Sequence, residues 1–276
     1  AVIAGGEWLT RKVIESSPAL RVIARSGVGF DRVDVAAATE RTIPVTITPT
    51  ANHEAVAEQA MALLFAVAKG VVVNDARTRA GQWAHGMTMP LRGKTFGILG
   101  LGRIGRSTAL RALGMRMPVI AHETHPDKAF VEKHGIELVD LDTLLKRSDI
   151  VSVHCPLNDE TRGMMNKSVF DRMKPGSILL NTSRGGLVKE ADLIEALESG
   201  RLCGAGLDVF EEEPAKADNP LFRLANVVVS PHVAGIESRA MEDMGIEAAD
   251  CIIKLHRGQW PTGAVVNDAL REGWQW

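Results

Sequence analysis

A chain of 276 residues has material for one large or two medium domains, and 45% hydrophobic with 24% charged residues is an ordinary globular balance. A net charge of −2 lacks the basic excess of a nucleic-acid surface, and the longest apolar run, 60–68, is too short for a bilayer span. No basic-then-apolar leader opens the chain, and Cys155, Cys203 and Cys251 show no paired spacing. We therefore expect a cytoplasmic protein with reduced structural thiols and no metal site.

In chain order, strand-like runs at 1–6, 20–25 and 44–48 alternate with helical patterns at 10–16 and 35–40. This βαβαβ alternation implies a small parallel-sheet unit. An apolar-periodic helix is expected over 55–73 with Asn52 as its N-cap, then a polar helix to Ala80 and an irregular stretch over 81–92. The long helix reads as a connector between two α/β units. Alternation restarts with strands near 96–99, 118–122, 150–153, 177–181, 205–208 and 227–230, and with helices including 141–147, 167–173 and 189–199. A final helix over 237–256 would return to the first unit, followed by an irregular tail over 258–276. The expected fold is α/β with two doubly wound parallel-sheet domains. A smaller, flavodoxin-like domain is built from 1–50 plus 237–276, and a larger one is inserted as 51–236.

The stretch Gly100-Leu101-Gly102-Arg103-Ile104-Gly105 lies between a buried-strand pattern at 94–99 and a helix pattern at 106–113. Strand, GxGxxG turn and helix together form the dinucleotide-binding fingerprint of a Rossmann domain. Gly100 permits the tight turn, Gly102 lets the backbone approach a pyrophosphate, and Gly105 allows close helix–strand packing. The helix N-terminus offers free N–H groups to the phosphates. The fingerprint requires an acidic residue about 20 positions on, and the strand at 118–122 ends at Glu123. A carboxylate there bonds ribose hydroxyls and repels a 2′-phosphate. No arginine follows it directly, which favours NAD over NADP, although His125 or Lys128 could soften the preference. His154, in Val151-Ser152-Val153-His154-Cys155-Pro156-Leu157, puts a polar tip at a strand's carboxyl end, where ligands gather in open α/β sheets. Alone, it reads better as a capped core histidine.

Hydride transfer to a carbonyl needs a proton donor, a cation that polarises the carbonyl and holds the substrate, and a placed nicotinamide. Arg184, in Asn181-Thr182-Ser183-Arg184-Gly185-Gly186, stands just past a strand end and can fork onto a carboxylate. His232, in Ser230-Pro231-His232-Val233-Ala234-Gly235, is a natural proton donor near neutral pH. Glu213, in the loop after the strand at 205–208, would stabilise the charged imidazole. Singly, these read as a surface arginine, a loop histidine and one charge in the acidic run 211–213. Together, they share the carboxyl ends of strands in one sheet.

Gly27-Val28-Gly29-Phe30-Asp31 and Ala51-Asn52-His53-Glu54-Ala55-Val56-Ala57-Glu58 precede the segments 100–105, 154–157, 181–187, 207–214 and 230–235. In these residues, and in their order, the chain resembles the D-isomer-specific 2-hydroxyacid dehydrogenase family over nearly its whole length. That family includes phosphoglycerate dehydrogenases, glyoxylate/hydroxypyruvate reductases, D-lactate dehydrogenases and formate dehydrogenase. The resemblance implies an NAD-dependent oxidoreductase interconverting a D-2-hydroxy acid and its 2-keto acid, with Arg184, Glu213 and His232 as the catalytic set. It implies that amides around Val28 and Gly29, with Arg184 and His232, hold the substrate in a cleft between the domains. Arg103 and Ile104 would present amides to the pyrophosphate, Cys155 and Pro156 would line the adenosine pocket, Thr182 would fix the nicotinamide ribose, and Asp208 would hold the carboxamide. His154, Ser183, His232 and Gly235 complete the implied cofactor-binding set. A homodimer through the cofactor domain is also implied, with 81–92 as a candidate interface loop, and no nucleic acid or membrane partner.

The chain departs from the family pattern in four places. The strand–helix unit that normally opens the substrate domain is missing, and we expect that it was left out of the given sequence rather than lost from the sheet. Glu123 replaces the more usual aspartate, and Glu213 stands where formate enzymes carry glutamine. Of two arginines that phosphoglycerate enzymes often use for the phosphate, Arg25 matches one, and Ala4 occupies the other position. Two rival readings remain: a non-catalytic NAD-sensing binding protein of the same fold, and an NADP-preferring glyoxylate/hydroxypyruvate reductase.

Overall fold

Short apolar runs bounded by glycine or polar residues become ten strands in two separate all-parallel sheets. The computed structural model describes residues 1–276 and divides into two units, Ala1–Ala55 with Gly235–Trp276, and Val56–Ala234. Residues 51–55, Gly235 and Ile236, expected in the inserted domain, belong to the first unit.

The first unit carries β1 (Val2–Ala4), β2 (Ile23–Arg25) and β3 (Val45–Thr46), adjacent in that order. Its helices are Arg11–Glu15, Val35–Glu40 and Ser238–His256. Asp34 caps the second of these by accepting from Ala37 N–H, as an N-cap aspartate should. Ile14, Ile23, Ala37, Ala38, Ile43 and Val45 form a small core. β1 lies at the sheet edge with Ile3 half-exposed. The tail is pinned rather than loose: buried Asn267 accepts from Val45 N–H and donates to Ile43 O, while Trp274 donates to Thr42 O.

The second unit holds β4 (Phe96–Leu99), β5 (Val119–His122), β6 (Glu137–Leu138), β7 (Ile150–Val153), β8 (Ser177–Asn181), β9 (Leu202–Leu207) and β10 (Val227–Val229). Their spatial order is β10-β9-β8-β7-β4-β5-β6. β4, β7 and β8 are buried along their whole length, which is why they read in sequence as unbroken apolar runs. Succession runs outward from β4 on one side and from β7 on the other. The carboxyl ends of β4 and β7 therefore flank a topological switch point, the usual ligand crevice of an open α/β sheet.

The structure corrects the expected elements in several places. The helix expected over 55–73 stops at Ala68, because Gly70 takes a left-handed φ of 60°, and a second helix, Val71–Arg79, restarts at a 58° bend. Asn52 precedes the helix His53–Ala68 but its side chain does not cap it, since Oδ1 is buried without a partner. The helix expected over 167–173 spans Lys167–Phe170 only. The helix Lys128–His134 and the strand β6 go beyond the expected elements. Asp127 starts that helix, accepting from Phe130 N–H, and Gly135 ends it at φ 62°. No single helix is long and apolar enough to cross a membrane.

Candidate active site

At the switch point the glycine turn packs directly on the loop after β7. His154 N–H donates to Leu99 O at 2.7 Å, and a Cβ on Gly100 would stand 2.9 Å from the His154 carbonyl. A Cβ on Gly105 would stand 2.1 Å from Gly100 O. Packing alone therefore demands glycine at both positions. Gly102 differs: a Cβ there would meet nothing within 4 Å. That opening lies against the first turn of the helix Arg103–Gly114, whose N-terminal N–H groups at Arg103 and Ile104 precede any intrahelical acceptor.

Glu123 stands just past β5 and reaches back into the same turn. Its Oε2 accepts from Leu101 N–H at 2.7 Å, and Oε1 accepts from His125 N–H at 2.9 Å. Partial burial alone would raise this carboxyl, but the N–H donors of His125 and Leu101 with Thr124 outweigh it, holding Glu123 below its ordinary range. Across the crevice, His154 Nε2 meets Ser152 Oγ at 2.9 Å, and Nδ1 is screened from solvent without a partner. Burial pushes this imidazole down to about 4, so it is neutral at physiological pH. The half-buried Cys155 thiol is pushed up to about 11 by burial and then by the charge of Glu123, while Pro156 is exposed.

β8 leads into the Arg184 loop. Ser183 Oγ donates to Val153 O at 2.8 Å, and Asn181 brackets the turn, accepting from Ser183 N–H and donating to Arg184 O. Arg184 Nη1 donates to Ser183 O at 2.7 Å. Thr182 is buried and its Oγ1 has no protein partner. A Cβ on Gly185 would fall 1.8 Å from the Phe210 carbonyl, so the Arg184 loop lies directly against the loop that carries Glu213.

That second loop meets His232. Glu213 Oε1 accepts from Phe210 N–H at 3.1 Å, and Oε2 stands 2.8 Å from His232 Nδ1. A carboxylate can only accept, so Nδ1 carries the proton in this pair. Glu213 is the more buried partner, at 18% side-chain exposure against 41% for His232. Asp208 is fully buried. Its carboxylate accepts from Ser230 Oγ, Val233 N–H and Ala234 N–H at 2.5, 3.0 and 2.8 Å. Its oxygens thus serve the His232 loop, a bond set that sequence reasoning missed because its donors lie far along the chain.

In the first unit, the N–H groups of Val28 and Gly29 donate to no protein acceptor. Arg25 is buried and donates to Ala4 O at 2.8 Å and Gly29 O at 3.0 Å, bracing that loop from beneath. Gly235, in the same unit, packs on Asn52: a Cβ there would meet Asn52 Nδ2 at 3.0 Å.

Residues 61–234 match the family described as D-isomer specific 2-hydroxyacid dehydrogenase, NAD binding domain. The chain belongs to the D-isomer-specific 2-hydroxyacid dehydrogenase family. It is 42% identical over 269 residues to a glyoxylate reductase of Thermococcus litoralis, covering 94% of this chain and 81% of that protein. It is 41% identical over 249 residues to D-3-phosphoglycerate dehydrogenase of Archaeoglobus fulgidus, covering 90% of this chain and 47% of the relative. The chain thus spans about half the length of that curated relative. Among solved structures, D-lactate dehydrogenase of Aquifex aeolicus, complexed with NAD and lactic acid, superposes with a TM-score of 0.87 at 28% identity, covering 96% of this chain and 86% of that one.

The residues present fit the dinucleotide that this family domain binds. The space at Gly102 and two of the five buried side-chain atoms without a partner, Thr182 Oγ1 and His154 Nδ1, lie on loops at carboxyl ends of the central strands. Buried polar atoms without partners are rare in folded proteins, and a ligand supplies what the chain withholds.

Proposed function

We propose that this family member is an NAD-dependent D-2-hydroxyacid dehydrogenase interconverting a small D-2-hydroxy acid and its 2-keto acid. The observation that carries the reading is the His232–Glu213 pair at 2.8 Å, in a loop packed against that of Arg184 and in the sheet that bears the glycine turn. When bound, NADH supplies a hydride to C2. Arg184 binds the substrate carboxylate and polarises the carbonyl as a planar, permanently charged fork. His232 gives the carbonyl oxygen its proton from Nε2, while Glu213 holds the ring by Nδ1. Val28 and Gly29 are the proposed carboxylate-binding amides of the substrate unit.

On the cofactor side, Gly100, Gly102, Arg103, Ile104 and Gly105 would hold the pyrophosphate and Glu123 the adenosine ribose. The loop His154-Cys155-Pro156 would line the adenosine pocket. Thr182 would take the nicotinamide ribose and Asp208 the carboxamide, with Ser183, His232 and Gly235 completing the set. The charge on Glu123 supports NAD over NADP, since a 2′-phosphate would meet a carboxylate. The bonds of Arg25 to backbone carbonyls, with Ala4 at the other phosphate position, favour an unphosphorylated keto acid such as glyoxylate or hydroxypyruvate.

A homodimer through the cofactor domain is part of this reading. Val71, Val72, Trp83 and Met87 are exposed, with Trp83 at 81%, along one stretch of that domain. Three unpaired cysteines suit a reducing cytoplasm, and a net charge of −2 suits neither nucleic acid nor an anionic membrane. The test is steady-state oxidation of NADH, and of NADPH, against a panel of 2-keto acids that includes a 3-phosphorylated one. The reading predicts turnover of the small unphosphorylated acids with NADH; binding of NADH without turnover of any acid would favour the sensing protein instead.

A further inference from the structure

His232 has a backbone φ of 55°, in the left-handed region that a histidine enters only at an energetic cost. Such a conformation persists where surrounding bonds over-determine it. Here the bonds are explicit. His232 N–H donates to Asp208 O at 2.7 Å, and the next two N–H groups, of Val233 and Ala234, donate to the Asp208 carboxylate. Ser230 Oγ donates to the same carboxylate at 2.5 Å, the short distance of a charge-assisted bond. With its proton so committed, Ser230 Oγ accepts from Gln59 Nε2 at 3.0 Å.

Gln59 belongs to the helix His53–Ala68, outside every catalytic motif. It shares a helix face with Leu63 and Val67, at successive steps of four residues. Those two side chains lie on Gly206 and Gly204 of β9, where a Cβ would come within 2.8 Å of Leu63 and 2.6 Å of Val67. The two glycines let the helix approach the strand closely, and β9 leads directly to Asp208. The amide of Gln59 is thereby held at a fixed height above the strand end.

We propose that Gln59 and Ser230 are positioning residues of the reaction: with Asp208 they form a hydrogen-bond frame that holds His232 in its left-handed conformation and its ring against Glu213. The frame rests on the proposed dehydrogenase reading for its consequence in catalysis, but not for its existence. Without Ser230 Oγ, Asp208 loses its strongest donor, the 230–234 turn relaxes, and the imidazole swings from Glu213.

Two measurements on the full chain test this. The first is hydrogen exchange, read by mass spectrometry without substrate. In Ser230→Ala and in Gln59→Leu, the amides of 232–234 should exchange about tenfold faster or more, while those of β8 stay unchanged. The second is turnover. Ser230→Ala should lower kcat about 10- to 100-fold, the cost of a misplaced catalytic group. Ser230→Thr, which keeps the hydroxyl, should restore most of that loss. In a His232→Ala background, Ser230→Ala and Gln59→Leu should cost no further kcat, because the group they position is gone.

Equal losses in both backgrounds, no rescue by threonine, or unchanged exchange at 232–234 would overturn the frame. Should the wild-type chain reduce no 2-keto acid, the dehydrogenase reading falls and the exchange arm alone decides the frame.

Discussion

His154 offers a prediction whose size follows from the structure. Its ordinary value is 6.5, and burial pushes it down to about 4. Between those values the unfolded chain binds a proton that the native imidazole refuses, so the unfolded state holds more protons and stability falls as pH falls through this window. One pKa unit corresponds to about 1.4 kcal/mol, so the native state should lose ~3 kcal/mol between pH 6.5 and 4 from this residue. At pH 5.5 the slope should be roughly 1.2 kcal/mol per pH unit. His154→Gln removes the titration. Urea unfolding of both proteins at constant ionic strength, from pH 7 down to 4.5, cancels the carboxylates that they share. The wild-type-minus-variant difference should shrink by about 2–3 kcal/mol over that range, with most of the change below pH 6.5. A difference independent of pH, or a His154 ring resonance titrating near 6.5, would refute the reasoning.

Three further outcomes follow from other contacts. Gly185→Ala drives a Cβ into the Phe210 carbonyl, so it should cost about 1–3 kcal/mol of stability and lower kcat by about 10²-fold, read by thermal melting and steady-state kinetics. Glu123→Gln should weaken NADH about tenfold, by removing charge from the ribose contacts, and should narrow the gap to NADPH, both read by fluorescence titration. Asp149→Ala leaves Thr95 N–H, Lys94 and Lys174 without their acceptor at the amino ends of β4 and β7, away from the glycine turn, which should cost about 2–4 kcal/mol while the Kd for NADH stays within about twofold.

What the sequence made legible follows from where the chain is buried. β4, β7 and β8 match their expected limits because a strand covered on both faces is a continuous apolar run. The break at Gly70 was hidden because Val71, Val72 and Val73 continue the apolar pattern, yet Val71 and Val72 end up half-exposed beyond the bend. β6 has only two residues, both exposed, and Glu137 within it pairs with Arg147 from the following helix; no local pattern announces that contact. At the site, Arg184, Glu213 and His232 were legible as polar residues just past strand ends. The bonds around Asp208 were not, since Ser230 and Gln59 are an ordinary loop serine and an ordinary helix glutamine until the fold joins them. Asn52 has the right residue type for a cap but keeps Oδ1 unpaired, while His53 Nδ1 meets Thr50 O at 2.8 Å.

In the proposed reaction His232, held by Glu213, delivers the proton that completes reduction of a 2-keto acid. The most direct measurement is NADH oxidation by His232→Ala beside the wild-type protein, with glyoxylate and hydroxypyruvate, together with NADH binding by fluorescence. In His232→Ala, kcat should fall by about 10²- to 10⁴-fold while the protein still binds NADH. Turnover by His232→Ala at the wild-type rate would contradict it.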